Sequence, residues 1–349
     1  MRNIDEFIFD VKALKADELK VLADRIFKML KEVEGVPSTS NVQQVAKCRK
    51  CESSKIIKDG KDKNGKQRYK CSSCGCRFTS TSFSVVSNSH CSLEKWHKYI
   101  QLLLNGDSLA ECAKQCEISV RTAFLWRHKI LNILQRDQDN RVMNGIVEID
   151  DMFFSISYKG NHKNSKKFTM PRPAFKRGTD NRGPIGQKAC VMCAVERKGH
   201  TYGEVLGIGQ ANDIMLSHAF EERLLEDTIV VTDKAHNLKE FFNSSKIELI
   251  QTAAHSNPRN QNSPPEVKGA YHIQNVNNLH KRLRNFMKNY NGVATKYLNH
   301  YVSLYIWIEN HKKINNVNLH KELFVSIASS GSYTPISNII NLPELPSVA

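Results

Sequence analysis

No apolar run in this chain approaches the ~20 residues that cross a bilayer; the longest, around 301–308, is less than half that. No transmembrane helix is expected. Asp5, Glu6 and Asp10 interrupt the first ten residues, and no small-residue cleavage site follows, so no secretory leader is read. Acidic residues are in deficit: 35 Asp and Glu against 51 Lys and Arg give a formal charge of +16. That balance favours a polyanionic partner, nucleic acid before a membrane surface. A Gly-rich phosphate loop of the Walker type is missing, which argues against an ATP-driven motor. No internal repeat is present. With 40% hydrophobic and 25% charged residues, the 349-residue chain is neither disordered nor fibrous and has room for two or three domains. Without secretion, a cytoplasmic setting is expected, in which the ten cysteines are reduced thiols or metal ligands rather than disulfides.

Residues 4–34 space Ile4, Phe7, Ile8, Val11 and Leu14, then Leu19, Leu22, Ile26, Leu30 and Val33, by threes and fours. This predicts a helical arm over 1–35. The arm is electrically balanced, with eight acids and eight bases through Lys47, so it is not the DNA grip. A Ser/Thr/Asn linker leads into a basic module over 45–90. Helical periodicity at 96–104, 109–116 and 120–134 falls in a region spanning 92–138. From 145 to 313, β-rich runs at 147–157, 188–195, 201–208 and 228–232 mix with helical segments and predict an α/β domain. After Lys313 the pattern fades, and the tail over 314–349 is expected to be loose past Ser329.

Cys48-x2-Cys51 and Cys71-x2-Cys74, nineteen residues apart, have the spacing of a four-thiolate zinc site. Turns at Gly60 and Asn64-Gly65 suit the hairpin of a zinc ribbon. Cys76 ranks as a bystander. Cys190-x2-Cys193 lies in an apolar strand without a second pair and is assigned to packing.

Between 109 and 126, Ala113, Ile118 and Phe124 can lock two helices into a helix-turn-helix, with Ser119 capping the second. That helix is read as presenting Arg121, Thr122, Arg127 and His128 outward, to phosphates and base edges of a major groove. The turn carries Glu117, where glycine is often preferred.

In Val147-Glu148-Ile149-Asp150-Asp151, Val147 and Ile149 share one strand face, Glu148 and Asp150 the other. An acid on a central strand is costly unless it binds something. The run at 228–232 is a buried strand ending in Asp233. Two such acids can hold Mg²⁺ or Mn²⁺ between protein oxygens and substrate phosphates. Between these strands, 159–186 carries eight basic residues and one acid, including Lys166, Lys167, Lys176 and Arg177; such a loop can clamp a DNA backbone.

The zinc ribbon, with its local run Gln67-Arg68-Tyr69-Lys70-Cys71 to Phe78, the helix-turn-helix and the two Asp strands resemble DDE-type transposases of zinc-ribbon-bearing bacterial insertion sequences, over about residues 45–312. The resemblance implies a multidomain α/β protein whose catalytic domain, over 145–313, is RNase H-like (integrase-like), with structural Zn²⁺ and catalytic Mg²⁺ or Mn²⁺. It implies binding to terminal repeats, strand cleavage and transfer, and a homo-oligomer in a synaptic complex. Asp150 and Asp233 match the first two acids. The third, usually Glu, is held here by Asn277 in His272-Ile-Gln-Asn-Val276-Asn277, and Arg284 matches a phosphate-contacting base on the same helix. An amide oxygen can ligate a hard cation but brings no charge. His280 lies between them on the same polar stripe; Glu309 ranks below Asn277 as third ligand. Two alternatives remain open: a DNA-binding relative that no longer catalyses, and a zinc-ribbon transcription regulator.

Overall fold

The computed structural model describes residues 47–138, 142–157, 159, 188–253, 267–312, 316–329 and 334–346, apart from positions 49, 63, 64, 66, 88, 198, 246, 268 and 344. The expected helical arm and the basic loop with Lys166, Lys167, Lys176 and Arg177 lie outside them. In chain order the elements are β1 (Ile56–Lys61), β2 (Gln67–Cys71), β3 (Arg77–Thr79), α1 (Leu93–Leu104), α2 (Leu109–Gln115), α3 (Val120–Gln138), β4 (Ile146–Ser155), β5 (Lys188–Glu196), β6 (Thr201–Ile208), α4 (Asp213–Phe220), β7 (Ile229–Thr232), α5 (His236–Ser244), β8 (Glu248–Gln251), α6 (Gln274–Lys288), α7 (Leu298–Asn310), α8 (Asn316–Ser329) and α9 (Ile336–Ile340). They form two compact units: the described residues of Met1–Asn105 with Ile314–Tyr333, and those of Gly106–Lys313 with Thr334–Ala349.

In the first unit β1, β2 and β3 make an antiparallel sheet in sequence order. Tyr69 and Phe78 stack across β2 and β3 at 5.9 Å, sealing a small core around Cys48 and Cys71. α1 starts where the Ser92 side chain accepts from the Lys95 amide, and it buries Trp96, Tyr99, Ile100 and Leu103. α8 packs against α1 through buried Leu323, Phe324 and Ile327. This corrects the expectation that the pattern fades after Lys313: Leu319, Leu323, Phe324 and Ile327 recur at helical spacing up to Ser329, and their burial offsets the ordering of a segment rich in Asn and Ser. α1 also divides from α2 and α3, which the expected 92–138 region had joined.

The second unit is built on a five-stranded sheet of order β6-β5-β4-β7-β8, in which β4, β5 and β6 run antiparallel and β7 and β8 run parallel to β4. This is the RNase H-like arrangement. One face buries Val147, Ile149, Cys190, Met192 and Ala194 against Leu216, Ala219 and Phe220 of α4 and Leu238 and Phe242 of α5. The opposite face is covered by α6, over β4 and β5, and by α7, over β6. Gly203 permits the α7 approach, since a Cβ there would sit 3.0 Å from Ile306 and 3.3 Å from Val302. Cys190 and Cys193, three residues apart on β5, point to opposite faces and are fully buried, which suits packing and not a shared ion. Among the described residues, no helix is long and apolar enough to cross a membrane.

Candidate catalytic, metal and DNA-binding sites

The ribbon brings the four cysteines of the two pairs together. The Sγ atoms of Cys48, Cys51, Cys71 and Cys74 all lie within 4.8 Å of one another. Cys48 and Cys74 are 3.6 Å apart, as are Cys51 and Cys71. A tetrahedron of sulfurs about zinc has edges of about 3.8 Å, given Zn–S near 2.3 Å, so the donor set fits a zinc ion. The backbone N–H of Cys74 donates to the Cys71 sulfur and brings that thiol down to about 6. Burial would raise Cys48, but amide donors from Lys50 and Cys51 lower it instead. Deprotonated sulfur, the form zinc binds, is thereby favoured at Cys48 and Cys71, whereas the crowding of Cys51 by its sulfur neighbours pushes that thiol up to about 12. Cys76 stands aside, raised by burial.

α2 and α3 form the helix-turn-helix. Ser119 Oγ accepts from the Thr122 amide at 3.0 Å and caps α3. The turn closes by Ile118 N–H donating to Ala113 O at 2.9 Å and Glu117 N–H donating to Lys114 O at 3.2 Å. Glu117 sits at φ +51°, the left-handed position that ends a helix and that glycine occupies at least cost. Ser119 and Arg121 are exposed and Thr122 half-exposed, so the start of α3 is open to a partner.

Arg127 and His128, expected on the same outward face, are each only 1% exposed. Arg127 Nη2 donates to Asp107 O at 2.7 Å and reaches Cys112 Sγ at 3.4 Å, and its guanidinium lies 5.7 Å from the Tyr290 ring centre. His128 meets His300 of α7 through their Nδ1 atoms at 2.8 Å. α7 packs along α3 and covers the side that a lone helical hairpin would leave wet.

Asp150 and Asp233 come from neighbouring parallel strands. Ile149 pairs with Thr232 in the β4/β7 register, so the next residue on each strand is an aspartate. Asp233 Oδ1 accepts from the Ala235 amide at 2.8 Å, which fixes its side chain at the strand end. Burial, then the charges of Asp233 and Asp151, push Asp150 up to about 8. Burial and Asp233 likewise push Asp151 up to about 6. Asp151 is an acid that the sequence reading passed over, although it adjoins Asp150. Carboxylates thus concentrate at this end of the sheet, Asp150 and Asp233 at neighbouring strand positions and Asp151 on the opposite face of β4, and oxygen donors of this kind suit a hard divalent cation.

α6 lies over this end of the sheet. Its buried His280 brings Nδ1 to 3.6 Å from Asp150 Oδ2, and His280 Nε2 has no hydrogen-bond partner among the described residues. Burial, aided by the charge of Arg284, lowers His280 to about 4. Asn277 lies one turn before His280 and Arg284 one turn after it; both are exposed. The charge of Arg284 also acts on Cys193, the cross-strand partner of Asp150. Glu309 is committed elsewhere: it accepts from Arg282 at 2.9 Å and Tyr305 Oη at 2.7 Å and pairs with Lys312.

A five-stranded sheet with aspartates at neighbouring positions of adjacent central strands and a helix laid across them is the arrangement that the resemblance to DDE-type transposases implies. Residues 142–310 match the family model of the ISXO2-like transposase domain. A comparison with curated proteins finds no match. Among solved structures, a chain of the simian T-cell lymphotropic virus intasome, in complex with PP2A regulatory subunit B56 gamma, is 13% identical, with 72% of this chain and 78% of that chain covered, at a TM-score of 0.28. A chain of the Mos1 strand transfer complex is 14% identical, with 67% and 75% covered, at a TM-score of 0.24. The Mos1 mariner paired end complex with Mn gives 14%, 66%, 75% and 0.23.

Proposed function

We propose that this protein is the DNA transposase of an insertion sequence, which binds the element's terminal repeats and carries out strand cleavage and strand transfer. The observation that carries the reading is the juxtaposition of Asp150 and Asp233 at one register step on neighbouring parallel strands, under a helix bearing Asn277, His280 and Arg284. In this reading Asp150, Asp233 and Asn277 hold Mg²⁺ or Mn²⁺. Such an ion, when bound, neutralises phosphate charge and activates a water or 3′-hydroxyl. Arg284 contacts the substrate phosphate. Ser119, Arg121 and Thr122 at the open start of α3 meet DNA, and the basic loop with Lys166, Lys167, Lys176 and Arg177 clamps its backbone. The four-cysteine site holds zinc and gives the small ribbon its stability. A homo-oligomer joins two ends.

The test is incubation of the purified chain with labelled DNA carrying the repeats that flank its own gene, with Mn²⁺ or Mg²⁺. The expected result is cleavage and joining that Asp150→Ala and Asp233→Ala abolish while repeat binding persists. Repeat binding without cleavage under either metal would favour the non-catalytic relative.

A further inference from the structure

Glu148 is a carboxylate on a central strand, two residues before Asp150 and on the same face of β4, and its side chain has no exposed surface. Its partners come from distant parts of the chain. Oε2 accepts from the backbone amides of Asn275 at 2.8 Å and Val276 at 3.2 Å, in the first turn of α6. Oε1 accepts from Asn275 Nδ2 at 2.7 Å and from Arg197 Nε at 3.3 Å, with His272 Nδ1 also at 3.3 Å. The residue that precedes α6, Ile273, offers no side-chain cap. Glu148 supplies that cap from the sheet, placing a negative charge against the positive end of a 15-residue helix.

The consequence for the acid site is geometric. Glu148 and Asp150 are about 7 Å apart along one strand face. The helix held by Glu148 carries Asn277 directly after Val276, and one turn later His280 comes to 3.6 Å from Asp150. One strand therefore grips α6 twice, at its first turn and at His280. We infer that Glu148 is a positioning residue: by clamping the first turn of α6 it sets Asn277 and His280 in register with Asp150. It is not itself a ligand, because both of its oxygens are spent on donors. The inference deepens the proposed transposase reading and rests on it for its functional consequence.

The test uses the full chain and Glu148→Gln, which keeps the side-chain shape but turns one acceptor into a donor that faces donors. Three quantities are read: the Mn²⁺ concentration that half-saturates end cleavage, affinity for repeat DNA, and hydrogen exchange at the Asn275 and Val276 amides. The expected result is a rise of roughly 10–100-fold in half-saturating Mn²⁺, the usual effect of losing a group that orients metal ligands. Amide exchange should quicken and DNA affinity should stay unchanged. A merely structural residue would lower activity with the folded fraction and leave the Mn²⁺ requirement alone. That result, or unchanged exchange at the two amides, would overturn the inference. Should Glu148→Gln fail to fold, Asn275→Ala removes one donor only and should move Mn²⁺ half-saturation in the same direction by less. If the wild-type chain cuts no DNA, calorimetric Mn²⁺ binding takes the place of cleavage, so the clamp is judged apart from the transposase reading.

Discussion

Lowering the pH from 7.5 to 5.5 is expected to loosen the seam between α3 and α7. His128 and His300 meet there through their Nδ1 atoms, each at most 2% exposed. Burial lowers His300 to about 4, and burial with the neighbouring charges of His300, Arg127 and Lys296 lowers His128 further still. Both are neutral in the folded chain throughout this range. In the unfolded chain each titrates near 6.5, so below that pH the unfolded state binds protons that the folded state refuses. The stability contributed by neutral histidine is complete above 6.5 and is lost as the pH falls toward the folded-state values. At pH 5.5 the loss is about 1.4 kcal/mol for each histidine, or about 3 kcal/mol for the pair. For a unit of this size that corresponds to roughly 6–12 °C in Tm. Asp150 and Asp151, raised by burial, titrate in the opposite sense, so the informative quantity is a difference between proteins. Urea unfolding of wild type and of His128→Gln/His300→Gln at both pH values should show a pH-dependent loss smaller by about 3 kcal/mol in the double variant. Equal losses in the two proteins would refute the neutral-pair reasoning.

Chelation of zinc, or Cys71→Ser, should unfold β1–β3 while the sheet of the second unit persists; far-UV and near-UV dichroism of the full chain would register a partial loss, and a native ribbon without metal would count against it. Arg121→Ala should weaken DNA binding at every sequence tested and reduce the slope of log affinity against log salt by about 1. Arg127→Ala should instead destabilise the fold by about 1–3 kcal/mol, because it strips a buried donor from Asp107 O and Cys112. A shallower salt slope with full stability for Arg127→Ala would restore it to the DNA face. Asn277→Glu should tighten Mn²⁺ binding by about tenfold, or ~1.4 kcal/mol, in a calorimetric titration; no change would remove position 277 from the metal shell.

Local chemistry was legible in the sequence wherever the partners lie close along the chain or repeat with a fixed period. The paired cysteines, the Ser119 cap and the β6 limits at Thr201–Ile208 are of this kind. So is the alternation that puts Glu148 and Asp150 on one face of β4. What escaped depends on long-range partners. Nothing near Arg127 or His128 announces that α7, more than 150 residues later, will cover them. The partners of Glu148 are equally remote: sequence alone says that such an acid needs a binding partner, and only the fold reveals the first turn of α6. The α8 helix is a different case, since its apolar spacing was present but diluted by Asn and Ser. Glu117 shows that a turn can hold a left-handed residue without glycine when the flanking helices pack well enough to offset its cost of about 1–2 kcal/mol.

The most direct test of the central claim, that Asp150 and Asp233 form one oxygen-donor site, is calorimetric titration of Mn²⁺ into the zinc-loaded wild-type chain, Asp150→Ala and Asp233→Ala. The account predicts binding in the wild type that either substitution abolishes, with thermal stability held. Undiminished Mn²⁺ binding in both variants would contradict it.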